Sequence, residues 1–249
     1  MTPFHLHNKT ILVTGASSGI GRQIALSICE MGGNVVITAR DKKRLEETFK
    51  NLKGKNNSSI TADLLNQNDL SALVNHIPML DGIVHCAGIV KPFPVKFLSE
   101  EKIQETFQTN YNIQVILMAQ ITRQKKINKN ASIVFLSSIS ATHPHKGGAL
   151  YSASKAAIES LSKVIALEFY PQGIRSNCLS PAMVKTPMYD YAEKGASKET
   201  LDEHVNKYPL GIGSPADVAN AAVFLLSDAS KWITGITITL DGGFLLGGI

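Results

Sequence analysis

Short apolar runs alternate along the chain with longer stretches whose apolar residues recur every three to four positions. The short runs predict buried strands at 10–13, 35–38, 60–62, 82–85, 133–136, 175–179 and 236–240. The periodic stretches predict amphipathic helices at 20–31, 42–52, 69–76, 100–126, 151–169 and 215–226. Residues 181–209 follow neither pattern and are predicted to be irregular.

Strands that alternate with helices imply an α/β fold, in which helices cover both faces of a parallel sheet. Right-handed crossovers make a doubly wound, Rossmann-type sheet of about seven strands the simplest topology. The 249 residues are 44% hydrophobic and suffice for one core. We therefore expect a single domain over residues 1–249, with a substrate lid at about 182–209. The apolar residues of that segment could equally be the core of a helical hairpin; they include Met183, Met188, Tyr189 and Tyr191.

Composition limits the class of protein. The net charge is +5 and the pI is about 9.0, but the 25 basic residues are spread along the chain. This distribution favours a phosphate-bearing cofactor or a thioester substrate over nucleic acid. The cysteines, Cys29, Cys86 and Cys178, are odd in number and lie in apolar contexts, which is typical of reduced core residues. Without a signal pattern or an apolar run of about eighteen residues, we expect a cytoplasmic protein with no membrane partner.

A glycine-rich segment follows the first predicted strand and precedes a helix. Its spacing is G-x-x-x-G-x-G, which lets the backbone turn sharply and lets a pyrophosphate approach the helix N-terminus. A purely structural turn is the alternative. The segment is predicted to bind a dinucleotide through Gly15, Ser17, Ser18, Gly19, Ile20 and Gly21.

The end of the second predicted strand indicates which dinucleotide binds. A carboxylate there would accept hydrogen bonds from a free ribose 2′-hydroxyl, whereas a cation would fit a 2′-phosphate. This chain has Arg40, and Asp41 is predicted to cap the next helix instead. We therefore expect NADP(H) to be preferred, with NAD(H) possible if Arg40 is only a surface residue.

Tyr151 and Lys155 are four residues apart at the start of a predicted helix, so their side chains share one face. A lysine cation about 4.5 Å from a phenol, at an effective dielectric of about 20, favours the phenolate by roughly 3.7 kcal/mol. We therefore expect the Tyr151 pKa to be lowered towards neutrality, as acid/base catalysis requires. An isolated pair could be two surface residues, but Ser138 also follows a predicted strand end, where open sheets bind ligands.

These motifs resemble the classical short-chain dehydrogenase/reductase family over essentially the whole chain. The resemblance is carried by the glycine pattern, Tyr-x-x-x-Lys, a serine thirteen residues before the tyrosine and an asparagine twenty-eight before the serine. It implies a catalytic tetrad in which Tyr151 exchanges the proton, Ser138 holds the substrate oxygen, and Lys155 lowers the tyrosine pKa and binds the nicotinamide ribose. Asn110 would position a water that passes protons to Lys155.

The resemblance also implies further cofactor contacts, and three positions depart from the family pattern. The Asp-Gly-Gly signature of the family matches 241–243. His85 and Cys86 replace the usual Asn-Asn, which we expect to alter the hydrogen bonding between sheet and helix, and Ala182 replaces a glycine, which we expect to restrict that turn. Besides Tyr151 and Lys155, the implied contacts are Asp63, Leu64, Ala87, Gly88, Pro181, Val184 and Thr186.

The implied reaction is reversible reduction of a carbonyl to a secondary alcohol. Compact length favours 3-oxoacyl-[acyl-carrier-protein] reductases, which dock their acidic carrier through basic residues at the positions of Lys129 and Gln172. A free small ketone, sugar or steroid is the alternative substrate, and an NADP-binding sensor is the non-enzymatic alternative. The resemblance further implies a homotetramer built on the helices at 100–126 and 151–169. We expect no metal, because His143-Pro144-His145 has no nearby acidic or cysteine partner and should face the substrate pocket.

Overall fold

A computed structural model describes residues 2–187 and 203–247. Within these ranges every strand predicted from the apolar runs is present, with ends shifted by zero to six residues. The strands are β1 (Thr10–Thr14), β2 (Asn34–Ala39), β3 (Ser58–Thr61), β4 (Leu80–His85), β5 (Ile127–Leu136), β6 (Arg175–Pro181) and β7 (Thr237–Leu240).

The helices of the described residues follow the strands in sequence. Asp41 caps α2 as predicted, since its carboxylate accepts the Arg44 N–H. The bounds are α1 (Gly19–Glu30), α2 (Lys42–Lys50), α3 (Gln67–His76), α4 (Glu100–Phe107), α5 (Ile113–Arg123), α6 (Ala149–Phe169) and α7 (Pro215–Leu226).

The strands form one parallel sheet in the order β3-β2-β1-β4-β5-β6-β7. This order confirms the predicted Rossmann-type fold. The order in which successive strands are added reverses between β1 and β4, whose last residues, Thr14 and His85, are paired. Ligands of such sheets bind outside the carboxyl ends of the strands at this switch point.

Two apolar cores lie on opposite faces of the sheet. One packs α1 and α7 against the sheet through residues such as Ile28 and Val218. The other packs α3, α5 and α6 against the opposite face, where Leu73, Leu117 and Ile158 are buried. Burial on both faces explains why the strands are nearly continuous apolar runs.

The single helix predicted at 100–126 is wrong. The structure divides it into α4, a π turn at Gln108–Asn112, and α5, and the chain leaves the helix after Arg123. π turns inside helices are rare overall, but those that do occur are often found at functional sites. Strand β5 also begins six residues earlier than predicted, at Ile127.

None of the helices in residues 2–187 and 203–247 combines the length and the apolar character needed to cross a bilayer.

Candidate active site

The glycine-rich turn packs so closely against neighbouring backbone that side chains would not fit at Gly15 or Gly21. Gly15 has φ +64°, and a Cβ added there would lie 2.9 Å from the Ala87 nitrogen. A Cβ on Gly21 would lie 2.5 Å from the Gly15 carbonyl oxygen. Thr14 completes the junction, since its hydroxyl accepts hydrogen bonds from the N–H groups of Cys86 and Ala87 at 3.1 and 3.3 Å.

The turn opens onto the N-terminus of α1, where Ser18 precedes the first helical residue in an extended conformation. The first N–H groups of a helix point at such a space and favour a negative charge. The glycine-rich turn and the helix N-terminus, together called the glycine cradle, therefore fit a pyrophosphate group. A cleft of about 300 Å³ begins here, and its lining includes these predicted cofactor residues: Gly15, Ser17, Ser18, Gly19, Ile20, Gly21, Arg40, Asp63, Leu64, Ala87, Gly88 and Thr186.

Three charged residues, Arg40, Asp41 and Arg44, line the end of this cleft next to β2. The Asp41 carboxylate accepts the Arg44 Nε–H at 2.6 Å as well as the Arg44 backbone N–H, and these bonds hold its pKa below the ordinary value. Arg40 is exposed and forms no ion pair with any residue in the described ranges. The end of β2 therefore presents a cation, with the adjacent carboxylate already engaged.

Tyr151 and Lys155 lie on the first turns of α6, as predicted. The Lys155 ammonium is buried, donates to the Leu136 carbonyl at 2.6 Å and lies 5.6 Å from the centre of the Tyr151 ring. Ser138 follows β5 and faces the same space, and hydrogen bonding from its side chain lowers the phenol pKa. The carboxyl end of β5 and the start of α6 thus bring the three side chains together.

The expectation of a net lowered phenol pKa is wrong for this structure. Burial raises the Tyr151 pKa above its usual value and outweighs the hydrogen bond from Ser138. Burial also lowers the pKa of Lys155 from 10.5 to about 8. Desolvation disfavours the charged form of both groups, and a phenol and an amine then shift in opposite directions.

Asn110 lies in the π turn and is fully buried. Its side chain pairs with the main chain of Ile89, accepting the N–H at 2.8 Å and donating to the carbonyl at 3.0 Å. It also donates to the Ser154 hydroxyl on α6 at 3.1 Å. The side chain of Asn110 therefore joins the segment after β4 to the helix that carries Tyr151 and Lys155.

Gln114 is a site residue that the sequence-based predictions missed. Its amide donates to the Asn110 carbonyl at 2.7 Å and to the Ala87 carbonyl at 3.4 Å. This amide ties α5 to the π turn and to the segment after β4. The available signal was a polar residue inside the apolar stripe of a helix, since Gln114 is buried beside Ile113 and Leu117.

His85, the other departure from the family pattern, is buried and stacks on Phe135 with ring centroids 4.5 Å apart. Burial lowers its pKa to about 3, so the ring is neutral at physiological pH. Burial also raises the pKa of Cys86 to about 12. Neither replacement therefore adds a charge to the site.

A second cleft, of about 580 Å³, lies beside the first and shares Ile20, Cys86, Gly88, Ile89 and Thr186 with it. The loop with His143 and His145 lines this cleft, as predicted. Tyr208 and Phe244 stack at 4.8 Å on another wall. The lining also includes Ser138, Tyr151, Lys155, Pro181, Ala182, Met183, Val184 and His204, and it contains no carboxylate among the described residues.

Residues 182–187 and 203–209 of the predicted lid lie within the described part of the chain. Met188, Tyr189 and Tyr191 fall outside the described residues. The predicted difficulty at Ala182 does not arise: apart from glycines, only Asn8, Lys125 and Asn130 have positive φ in the described part of the chain. Nor do those residues include a cluster of His, Cys, Asp or Glu side chains that could hold a metal ion.

Fold and site together define an NAD(P)-binding oxidoreductase, and comparison with known proteins agrees. A family model described as enoyl-(acyl carrier protein) reductase matches residues 15–245. The chain belongs to the short-chain dehydrogenase/reductase family, whose members use NAD(P). It is 34% identical over 242 residues to a 3-oxoacyl-[acyl-carrier-protein] reductase of Rickettsia felis, covering 97% of this chain and 98% of that one. A Staphylococcus aureus protein of the same name is 32% identical, with 96% and 98% covered.

Solved structures show the same family. A short-chain dehydrogenase/reductase described as a glucose/ribitol dehydrogenase, from Brucella melitensis, has a TM-score of 0.89 at 30% identity, with 97% and 98% of the two chains covered. A Beutenbergia cavernae protein described as an NAD(P)-dependent gluconate 5-dehydrogenase, with NADP bound at low occupancy, has a TM-score of 0.88 at 27% identity, with 99% and 100% covered.

Because the Lys155 amine is buried, we predict that the stability of the parent relative to a Lys155→Met variant depends on pH. Between about pH 8 and 10.5 the unfolded chain binds a proton at this position that the folded chain does not, so the parent gains stability as pH rises. Relative to a Lys155→Met variant without ligand, the parent should gain about 1.4 kcal/mol per pH unit in this window, about 3 kcal/mol in all. Urea unfolding between pH 7 and 10 at equal protein concentration measures the difference.

Lys50 provides the control, because it is exposed at the end of α2, away from α5 and α6. The stability difference between the parent and Lys50→Met should not change with pH. A Lys155→Met difference that is equally flat would show that the Lys155 amine is charged in the folded protein throughout this range.

Proposed function

We propose that the protein is an NADP(H)-dependent short-chain dehydrogenase/reductase that reversibly reduces a carbonyl to a secondary alcohol. The observation that carries this proposal is the position of Ser138, Tyr151 and Lys155 beside the junction of the two clefts. The cleft with the glycine cradle suits the cofactor, and the second cleft suits the substrate.

In this proposal the bound cofactor supplies or accepts the hydride, and the side chains manage the proton. Tyr151 donates its hydroxyl proton to the substrate oxygen in reduction and takes it back in oxidation. Ser138 holds the same oxygen by a hydrogen bond, which stabilises the charge that develops there. Lys155, fixed by the Leu136 carbonyl, favours the ionised phenol when it is itself charged. Asn110 positions the helix that carries both.

The preference for NADP(H) rests on the charges at the end of β2. Arg40 is exposed at the rim of the first cleft, and the neighbouring Asp41 is already paired with Arg44. A 2′-phosphate would gain a cation, whereas a free 2′-hydroxyl would find no unpaired carboxylate at this point.

A 3-oxoacyl thioester is the substrate class we favour, because the relatives from Rickettsia felis and Staphylococcus aureus carry the name of 3-oxoacyl-[acyl-carrier-protein] reductase. The second cleft supports this choice through its apolar walls, which include Ile89, Val90, Ile139 and Met183. Such walls suit an acyl chain, and they also suit a free ketone or a steroid.

Docking of an acidic carrier would involve the amino end of β5. Lys129 is exposed near that end, and the Asn130 side chain lies against Gly173, next to Gln172. Only Lys129 of these two positions carries a charge that could attract an acidic carrier.

Replacing the phenol tests the proposed chemistry. Tyr151→Phe keeps the ring and removes the proton, so kcat/KM for carbonyl reduction should fall by about 10²–10⁴-fold while NADPH still binds. Tyr170→Phe, an exposed tyrosine near the end of α6, should keep parental activity. The assay follows NADPH oxidation with 3-oxoacyl thioesters on acyl carrier protein and on coenzyme A, and with free ketones, sugars and steroids.

The same assay separates the alternatives. A parent that reduces free ketones but not thioesters would replace the acyl assignment with the free-carbonyl one. A parent that binds NADPH tightly and turns over nothing would favour the sensor. Full activity in Tyr151→Phe would refute the proton role of the phenol.

Reversing the charge at residue 40 tests the cofactor preference. A charge-assisted hydrogen bond contributes about 1.5–3 kcal/mol, so Arg40→Asp should lower kcat/KM for NADPH by about 10- to 150-fold. The value for NADH should stay equal or rise, because the new carboxylate can accept bonds from the ribose. Lys42→Asp makes the same charge change on α2 outside the cleft lining and should leave the NADPH/NADH ratio unaltered. A parent that prefers NADH would contradict the assignment.

We also propose that the protein assembles as a homotetramer through α5 and α6. The support is a set of large apolar side chains exposed on these helices: Ile116, Val164 and Leu167 are 39%, 45% and 71% exposed. Sedimentation of the parent should give a tetramer, and Leu167→Glu should shift it to smaller species. Val95→Glu, an exposed valine in the segment after β4, should leave the tetramer intact. A monomeric parent would rule the proposal out.

A further inference from the structure

A row of polar side chains leads from the proposed acid to the protein surface. It begins at Tyr151, whose phenol is influenced by hydrogen bonding from Ser138. The Ser138 hydroxyl donates to the Ser140 hydroxyl at 3.3 Å, and Ser140 Oγ lies 3.4 Å from His145 Nδ1. Two hydrogen bonds thus join Ser138, which lines the second cleft together with Tyr151, to an imidazole.

Burial changes along this row in the order that proton exchange with solvent would need. Ser138 and Ser140 are only 8% and 7% exposed, whereas His145 is exposed at the mouth of the second cleft. The hydroxyl groups are therefore shielded from bulk water, and the imidazole is in contact with it.

The local backbone holds these side chains in place. Ser138 caps a 3₁₀ turn at Ile139–Ala141, with its hydroxyl accepting the Ser140 N–H at 3.2 Å. The His145 ring lies over Gly148, the residue before α6, where an added Cβ would come within 2.8 Å of the ring. The His145 carbonyl also accepts the Gly148 N–H at 2.9 Å. The loop is thus tied to the helix that carries Tyr151.

We propose that Ser138, Ser140 and His145 form a proton relay between Tyr151 and solvent. This inference rests on the proposed carbonyl reduction. A serine hydroxyl both donates and accepts hydrogen bonds, and histidine is the side chain best suited to exchange protons with water near neutral pH.

The relay moves protons only. In reduction, Tyr151 gives its proton to the substrate oxygen and becomes a phenolate. The Ser138 hydroxyl turns from Ser140 to the phenolate and gives it its proton. Ser138 then takes the hydroxyl proton of Ser140, and Ser140 takes the Nδ1 proton of the imidazolium form of His145. Water then returns a proton to the imidazole. Alcohol oxidation runs the same transfers in reverse, and no electron changes place along the row.

Removing the outer members tests the relay. His145→Ala and Ser140→Ala should each lower kcat by about tenfold or more and raise the solvent deuterium isotope effect. Added imidazole should largely restore kcat in His145→Ala, because a free imidazole can occupy the vacated space. It should not restore Ser140→Ala, and the double variant should be no slower than the slower single variant.

His143→Ala is the matched control, since this ring also lines the second cleft but bonds to the Thr142 hydroxyl instead of Ser140. Its kcat should not respond to imidazole. His145→Ala with an unchanged kcat, an altered KM alone, or no response to imidazole would overturn the relay. These outcomes are distinct from failure of the proposed function, which would appear as an inactive parent or an active Tyr151→Phe variant.

Discussion

The buried amide of Asn110 is the contact on which the rest of the site depends. It pairs with both main-chain groups of Ile89, much as a neighbouring strand would, and it also bonds to Ser154 on α6. A buried amide that makes all these bonds is costly to displace, because each lost partner leaves a polar group without water. The side chain thereby holds the segment after β4 in place against the helix that bears Tyr151 and Lys155. The π turn is the local distortion that brings the amide there.

Around this contact, Gln114 adds hydrogen bonds from α5. Its amide donates to carbonyls of both the π turn and the segment after β4. His85 is kept neutral by burial and contributes a flat ring that stacks on Phe135. The Cys86 thiol is likewise neutral. These replacements therefore preserve the electrostatic surroundings of Lys155, whose charge the proposed mechanism uses.

Much of the fold and part of the site could be predicted from the sequence, for identifiable reasons. Apolar runs locate strands that are buried on both faces, and a spacing of four residues puts Tyr151 and Lys155 on one face of a helix in any context. The π turn could not be predicted, because its apolar periodicity resembles that of a continuous helix. The tertiary partners of Gln114 were equally hidden, since pairing across elements leaves no local pattern. The net direction of the phenol pKa depends on burial, which spacing alone does not determine.

The residues proposed for the proton chemistry and the walls of the second cleft overlap at the carboxyl edge of the sheet. Ser138 follows β5 and Tyr151 and Lys155 lie on α6, whereas other walls of the cleft are formed by the segments that follow β4 and β6. The loop after β5 belongs to both, because it carries Ser138 at one end and His145 at the cleft mouth. An occupant large enough to fill that mouth would cover the imidazole, while a small ketone would leave it open to water. In the proposed relay, substrate size and proton supply are therefore coupled through a single loop.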